Sequence, residues 1–511
     1  MKYLKLYLDD KSYMADKPNL GKLWVASTQS EKHVYYSSEI DNSLCFTAME
    51  NGASVQMLLN DEGGTSAGWQ AKSFYYKKNN DVEWTLWTFE NNATSKIILN
   101  KGDKLYVRSD SYNSCGVYDV YLAGYKYYYF TINEGKISAS GNIMSLLNFT
   151  PVLPTYAFYK LFQGCSLLVS APELPATTLA DSCYYEMFAG CSSLTQAHEL
   201  PATTLVNYCY QSMFAGCFSL TQAPSILPAT TLADSCYSEM FAGCSSLTQA
   251  PELPATTLAN ECYSAMFTGC TSLTQAPELP ATTLADSCYS AMFADCSSLT
   301  QAHELPATTL VNSCYSYMFN GCSSLTQAPS ILPATTLADY CYNNMFNGCT
   351  SLIQSPELPA TTLADYCCND MFQGCTSLTQ AHALPATTLA DSCYSNMFRG
   401  CSKLTQAPSI LPATTLANEC YSHMFDGCSS LTQAPELPAT KLNYYCYNYM
   451  FNGCAKLNYI KALCTTEPCS IYTTNWVSGV SSTGTFVKSS AATWNVYGPN
   501  GIPSGWTVTT A

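Results

Sequence analysis

Cysteine is the residue type best placed to do chemistry in this 511-residue chain, which contains 28 cysteines and five histidines. Zinc sites use cysteine or histidine pairs two to four residues apart, and no such spacing recurs here. Twelve cysteines end a Met-Phe-x-Gly-Cys motif (Leu-Phe in the first copy, and Asp295 in place of glycine before Cys296), and eleven more lie eight residues before such a cysteine. Positions eight apart on a helix are separated by roughly 12 Å, too far for a disulfide. We therefore expect no metal and no cofactor, but thiols packed as small apolar side chains.

Equivalent cysteines of neighbouring repeats would lie roughly 4.8 Å apart, near enough to bond, but no pattern in the sequence pairs them. So many unpaired thiols suit a reducing or anaerobic setting better than an oxidising one. Cys368 stands where other repeats have tyrosine, and we interpret it as drift. Cys464 and Cys469 lie beyond the repeats and could form a local bridge, so their redox state stays open.

Catalytic chemistry has little support in the remaining reactive side chains. The histidines are isolated or occupy positions that differ between repeats, and no nucleophile–base pair or phosphate-binding loop stands out. The sequence therefore predicts no catalytic residue and a protein that is not an enzyme. The five histidines are His33, His198, His303, His382 and His423.

The charge of the chain limits its partners. It has 37 acidic and 22 basic residues, a net charge of −15, and residues 151–460 hold 20 of the acidic residues but only five basic ones. A nucleic-acid surface needs clustered lysine and arginine, so nucleic acid is not expected as a partner. No run of eighteen apolar residues occurs, so membrane insertion is not expected either.

The motif recurs every 26 or 27 residues, a period typical of a solenoid. In the repeat from Leu194 to Cys217, Leu194–Ala197 is predicted to be a short strand, the prolines a turn, and the last part a two-turn helix. The helix would begin at an Asp or Asn that caps its first turn and end at a left-handed glycine. Asparagine replaces aspartate in four repeats, so this position is interpreted as structural. The predicted structural ladder contains Asp181, Cys183, Gly190, Cys191, Asn207, Cys209, Gly216 and Cys217.

The opposite face of the predicted helix is where the repeats differ. Two interpretations remain open: these exposed positions drift freely, or they form a recognition surface that binds through varied side chains. Tyrosine favours the second interpretation, because it offers a large contact area at low entropy cost. The candidate binding face contains Tyr185, Glu186, Gln211, Tyr317, Asn320, Asn343, Asn347, Gln373, Arg399, His423 and Asp426.

The pattern Cys-x-x-Leu-x-x-Ala-Pro…Leu…Met-Phe-x-Gly-Cys resembles the bacterial BspA-like leucine-rich repeat. That family has Cys-x-x-Leu-x-x-Ile and an Ala-Phe-x-x-Cys helix, so Ala197 and its equivalents replace the isoleucine and Met-Phe replaces Ala-Phe. The tail around Asn475–Val480 and Gly501–Val508 is similar to the terminal module of gut-bacterial and phage-encoded repeat proteins. The resemblance implies a surface-exposed adhesion or recognition role and supplies no catalytic residue.

Short strand-like runs separated by Gly and Asn/Asp turns precede the repeats, for example at Leu44–Ala48, Lys104–Arg108 and Tyr127–Ile132. Their spacing predicts an antiparallel β-sandwich. The predicted fold class is an α+β, leucine-rich-repeat-like solenoid of twelve coils, with a β-sandwich before it and a small β cap after it. The predicted domains are an attachment segment or strand at 1–40, the sandwich at 41–148, the solenoid at 149–460 and the cap at 461–511.

These features favour a non-enzymatic surface recognition or adhesion protein that presents an acidic, tyrosine-rich solenoid face. Its partner would be a protein or carbohydrate receptor on a cell surface. The alternative is a structural spacer or decoration subunit of a fibre, which contacts other virion or surface-assembly subunits and has no ligand of its own. No secretory signal is visible at the amino terminus, which favours a virion component. We expect an extracellular-facing location, with a cytoplasmic one left open.

Overall fold

The computed structural model describes residues 23–28, 31–36, 42–61, 72–119 and 124–511. The first two ranges pair as an antiparallel hairpin of β1 (Leu23–Thr28) and β2 (Glu31–Tyr36). The rest of the predicted attachment segment at 1–40 lies outside the described residues, and its role stays a prediction.

Two sheets form an amino-terminal β region. The first has the order β14 (Leu168–Ser170), β13 (Ile137–Ser140), β3 (Leu44–Ala48), β10 (Lys104–Ser109), β5 (Phe74–Lys78) and β6 (Thr85–Leu86). The second has the order β11 (Gly116–Asp119), β12 (Gly124–Thr131), β4 (Ala53–Asp61), β8 (Ala93–Thr94) and β7 (Phe89–Glu90). A further short strand, β9 (Ile97–Leu99), pairs with β4 outside this order. The ring centroids of Phe46 in β3 and Phe130 in β12 lie 4.9 Å apart, so the two sheets pack face to face. A buried 3₁₀-helix, Ile143–Leu147, follows β13.

The predicted two-turn helix is wrong, and no α-helix occurs in the described part of the chain. An α-helix returns every N–H to the carbonyl four residues back. Here the N–H of Tyr185 bonds the carbonyl of Ser182, three residues back, whereas the N–H of Tyr184 bonds the carbonyl of Cys209 in the next coil. This alternation recurs along the repeats. The α+β prediction is therefore corrected to a repeat protein whose coils are joined by backbone hydrogen bonds between neighbours.

Backbone conformation explains why a helix cannot form. The φ angle is positive at Ser182 (54°), Glu186 (49°) and Gly190 (75°), which is every fourth residue. Residues in the left-handed region interrupt a right-handed helix, so the segment becomes a run of tight turns. Apolar positions three and four apart still share one face of this run, which is why the pattern resembled a helix.

The predicted strand at Leu194–Ala197 is also shorter than expected. In place of a strand, Gln196 forms an isolated parallel bridge with Gln222 of the next coil. Similar single bridges join further glutamine and threonine positions along the repeats.

The side chain at the Asp/Asn position makes a hydrogen bond between coils and does not form the predicted helix cap. The Oδ1 of Asp234 accepts the N–H of Asn260 (3.1 Å), and the Oδ1 of Asn260 accepts the N–H of Asp286 (3.2 Å). Each side chain therefore bonds the equivalent residue one coil later. Aspartate and asparagine are interchangeable because each carries the required acceptor oxygen.

Aromatic side chains stack in columns through the core. Neighbouring rings of the phenylalanine column have centroids 5.3–5.7 Å apart and planes within 11° of each other. A second column runs from Phe158 through tyrosines to Trp476 and is interrupted at Cys368. The phenylalanine column contains Phe162, Phe188, Phe214, Phe241, Phe267, Phe293, Phe319, Phe346, Phe372, Phe398, Phe425 and Phe451.

The predicted cysteine ladder is confirmed. Cys191 and Cys217 are fully buried, and their thiols donate to the carbonyl oxygens of Phe162 (3.1 Å) and Phe188 (3.2 Å). Burial raises the pKa of Cys183 to about 12. Cys464 and Cys469 are both free thiols in the structure, so the suggested local bridge is not formed there.

The flanking segments close the two ends of the repeats. The ring of Phe130 in β12 stacks on Phe162 at 5.1 Å, and β14 pairs in parallel with β13. At the other end, β15 (Tyr459–Ala462), β16 (Thr485–Lys488) and β17 (Thr507–Thr510) form a parallel sheet. The indole of Trp476 stacks on Tyr447 at 6.0 Å. One hydrophobic core therefore runs through the β region, the repeats and the tail.

Candidate recognition surface

The residues that differ most between repeats lie side by side along the run of turns. We define the variable row as the residues at the positions of Tyr185, Glu186 and Ala189 in every repeat. The N–H of Glu186 bonds the carbonyl of Gln211 in the next coil at 2.9 Å, so backbone hydrogen bonds hold successive members in register. All eleven residues of the predicted binding face belong to this row, and they are arranged along it rather than around one pocket.

The first group of row residues lies beside the β region. The ring of Tyr185 stacks on Tyr159 at 5.2 Å, and Tyr159 stacks on Tyr125 of β12 at 4.6 Å. The carboxylate of Glu186 is 3.5 Å from the ammonium group of Lys160 and accepts a short hydrogen bond from the side chain of Gln163. Burial, followed by the neighbouring Glu186 carboxylate, raises the pKa of the Tyr185 hydroxyl. This end of the row is a fixed cluster of aromatic and charged groups.

The middle of the row contains a group of amide side chains. The Nδ2 of Asn347 donates to the Oδ1 of Asn344 (2.7 Å) and the Oε1 of Gln373 (2.9 Å). Asn343 is only 7% exposed, so it supports this network more than it offers a contact surface. Tyr317 is 44% exposed and available for contact. Gln211 and Asn320 are half-buried members of the same row.

The last group of row residues is charged. The Oδ2 of Asp426 lies 3.3 Å from the Nε of Arg399 and 3.1 Å from the Nδ1 of His423, while its Oδ1 accepts the Nδ2 of Asn452 at 2.8 Å. Burial acts to raise the pKa of Asp426, but the hydrogen bonds from His423 and Asn452 and the nearby Arg399 outweigh it, so the pKa is lowered. The imidazole of His423 stacks on Tyr449 at 4.6 Å.

The side chains of the row are held in place before any ligand binds, so the row could recognise a partner by its polar and aromatic groups. Amides, carboxylates and rings hold each other in place through contacts between coils, so binding would immobilise few further rotamers. Among the described residues no group of three metal-ligating side chains occurs. No helix in the described ranges is long and apolar enough to cross a membrane.

Two exposed tyrosines outside the variable row were missed by the sequence interpretation. Tyr340 and Tyr366 directly precede the first cysteine of their repeats, where the other copies have serine, glutamate or a single tyrosine without a tyrosine in the next repeat. Their rings are 43% and 37% exposed, and their centroids lie 4.9 Å apart with planes 2° from parallel. The signal available in the sequence was tyrosine at this position in two successive repeats.

Comparison with known proteins identifies the repeats. The model of the BspA type leucine-rich repeat region matches six copies, over residues 153–248, 234–353 and 339–473. These matches cover more than half of the chain, which therefore belongs to the BspA-type leucine-rich repeat family. Members of this family are typically surface-associated, and leucine-rich repeat families are generally non-catalytic and bind proteins or other ligands.

Two leucine-rich repeat proteins are among the solved structures to which this chain is similar. A leucine-rich repeat protein from Bacteroides ovatus ATCC 8483 is 18% identical, with 64% of this chain and 84% of that chain covered and a TM-score of 0.34. A leucine-rich cell surface protein from Faecalibacterium prausnitzii A2-165 is 16% identical, with 65% and 90% covered and a TM-score of 0.33. The search of curated proteins found no match.

Proposed function

We propose that this chain is a non-enzymatic surface recognition protein whose variable row contacts a protein or carbohydrate receptor on a cell. The observation that carries the proposal is the contrast between the core and the row. Core columns repeat the same residue type from coil to coil, whereas the row differs between coils in residue type and charge. A rigid scaffold that carries varied, mutually bonded polar groups supports selective binding.

The carboxyl-terminal half of the row is the best place to test this proposal. A variant with Asn347, Gln373, Arg399 and His423 changed to alanine keeps the length and the core columns. Its control changes four exposed threonines elsewhere on the coils, Thr282, Thr308, Thr361 and Thr387, to alanine. We expect the row variant to lose at least about tenfold in attachment to target cells, because a few central residues carry most binding energy. Equal attachment by both variants, with unchanged melting temperatures, would contradict the proposal.

A structural spacer is the second candidate function, and the continuous core supports it. One hydrophobic core extends from Leu44 to Trp506, a construction suited to holding two attachment points at a fixed distance. Such a chain would serve as a fibre or decoration subunit, for example of a virion. Deletion of residues 192–296 removes four whole repeats and leaves Phe188 to stack on Phe319. A spacer with that deletion still assembles but with shorter projections in electron micrographs, while cell attachment per particle is unchanged.

A further inference from the structure

We infer that the exposed pair Tyr340 and Tyr366 is a binding platform for neutral saccharides. The pair lies outside the variable row, so the inference does not rest on the proposed function. Two rings lying edge to edge in one plane could not approach to 4.9 Å, so these parallel rings overlap face to face with an offset. Their facing sides cover each other, so the aromatic surface left open consists of the ring edges and the outer face of each ring.

Backbone hydrogen bonds fix the platform before any ligand arrives. The N–H of Tyr340 bonds the carbonyl of Asp365 (3.1 Å), and the N–H of Tyr366 bonds the carbonyl of Asp391 (3.0 Å). Both tyrosines have a φ of 55°, and this conformation places them identically in successive coils. A preset aromatic pair loses little conformational freedom on binding.

The stack is flanked by small side chains at both ends. The equivalent positions in the flanking coils are Ser313 and Ser392, whose side chains are small. In the described part of the chain, no aromatic ring stacks on the outer face of Tyr340 or of Tyr366. Ser313 is only half-buried, so the outer face of Tyr340 is the more accessible of the two.

The platform tyrosines have acidic neighbours in sequence. Asp339 and Asp365 directly precede the two tyrosines, and each uses Oδ1 to accept the N–H of the next member of its column, at 3.1 and 3.0 Å. The Oδ2 of Asp339 and that of Asp365 accept no hydrogen bond from the described residues. These two oxygens can therefore accept hydrogen bonds from ligand hydroxyl groups.

A pyranose ring matches these groups better than the alternatives do. Its C–H bonds carry a small positive charge that suits the negative face of an aromatic ring, and its hydroxyls would meet the free carboxylate oxygens. Anionic sugars are disfavoured, because residues 151–460 hold 20 acidic and five basic side chains. A cation over an exposed flat ring stays hydrated and gains little. We therefore assign the platform to uncharged hexose units of a glycan.

The inference can be tested with substitutions that introduce the residue found at the same position in other repeats, because such residues are compatible with the fold. Serine occupies this position in Ser287 and Ser313, so Tyr340→Ser with Tyr366→Ser should fold normally. Tyr340→Phe with Tyr366→Phe keeps both ring faces. Tyr208→Ser removes an exposed but unstacked tyrosine at the same position of another repeat and is the matched control.

The full-length chain and these variants would be applied to an array of neutral, sialylated and sulfated oligosaccharides and, separately, to a lysine-rich peptide. We expect binding to neutral hexose oligomers that falls at least about tenfold in the double serine variant. The double phenylalanine variant and Tyr208→Ser should stay within about threefold of the unmodified chain. The inference is overturned if the chain binds no neutral oligosaccharide, binds only anionic glycans or the peptide, or binds neutral glycans equally well after the double serine change.

Discussion

The thiol of Cys191 donates a hydrogen bond to the carbonyl oxygen of Phe162 in the preceding coil, across 3.1 Å. The same contact recurs at each Gly-Cys cysteine up to Cys454, at 3.1–3.2 Å. The ring of Phe162 also stacks on Phe188 of the coil that contains Cys191. Each coil is therefore joined to the previous one by an aromatic contact and a thiol hydrogen bond at neighbouring positions.

Thiol accessibility follows directly from this arrangement. Cys469 is exposed, and the other 27 cysteines of the chain are buried. We expect the native protein to react with a thiol reagent such as Ellman's reagent at one cysteine, and the unfolded protein at all 28. Cys469→Ser should abolish the native reaction. Rapid labelling of several cysteines in the folded chain would show that the coils are open to solvent.

The buried cysteine thiols should lower the free energy of unfolding at alkaline pH. Burial raises the pKa of Cys165 from 9.0 to about 12 and acts likewise on Cys183. Below pH 9 these thiols are protonated in both states, so they add no pH dependence. Between pH 9 and 12 the unfolded chain loses protons that the folded chain keeps, so the free energy of unfolding decreases as pH rises.

Chemical denaturation at pH 7, 9 and 10.5 under reducing conditions measures this effect. Replacing Cys262 and Cys270 with alanine removes two of the buried thiols and should make the decrease between pH 9 and 10.5 smaller. A free energy of unfolding that stays constant up to pH 10.5 would contradict the assigned pKa shifts.

The interruption of the tyrosine column at Cys368 should be repairable. The phenylalanine column keeps its spacing through this coil, with Phe346–Phe372 and Phe372–Phe398 centroids 5.6 and 5.5 Å apart, so the coil has not collapsed. Cys368→Tyr should fill the space between two ring-bearing coils and raise the free energy of unfolding by about 1 kcal/mol or more. Urea denaturation measures the change, with Cys367→Ala as a destabilising control. A loss of stability would mean that the neighbouring side chains already occupy the space.

The buried tyrosine hydroxyls should contribute little to stability. The hydroxyl of Tyr263 is buried and has no hydrogen-bond partner among the described residues. Removing an unpaired buried polar group is neutral or favourable, so Tyr263→Phe should change the free energy of unfolding by between zero and about +1 kcal/mol. Phe267→Ala in the same coil, which opens a cavity, should cost roughly 3–5 kcal/mol. A clear loss of stability in Tyr263→Phe would reveal a hydrogen bond to that hydroxyl.

Two substitutions distinguish the effect of the hydrogen bond between coils at the Asp/Asn position from the effect of the side-chain charge. Asp234→Asn keeps the acceptor for the N–H of Asn260 and should be neutral in thermal denaturation. Asp234→Ala removes the acceptor and should cost about 1 kcal/mol. Equal stability of the two variants would show that this contact is dispensable.

The sequence was sufficient for the repeat length, the buried positions and the family, because those depend on which residues are apolar and how often they recur. Cys183 and Cys191 were expected to pack as apolar side chains and are fully buried. The variable row contains the eleven residues of the predicted binding face because it is defined by the same sequence positions. Whether that row binds a receptor stays a proposal, and the predicted domain boundaries stay predictions.

The local backbone conformation of the repeats could be determined only from the tertiary structure. Positions three and four apart fit a helix and a run of turns equally well, and the difference depends on whether a neighbouring coil accepts the N–H groups. The carbonyl of Cys209 accepts the N–H of Tyr184 at 3.0 Å, a partner 25 residues away that local periodicity cannot reveal. The parallel overlap of Tyr340 and Tyr366 has the same origin, since only the stacking of one coil on the next brings the two rings together.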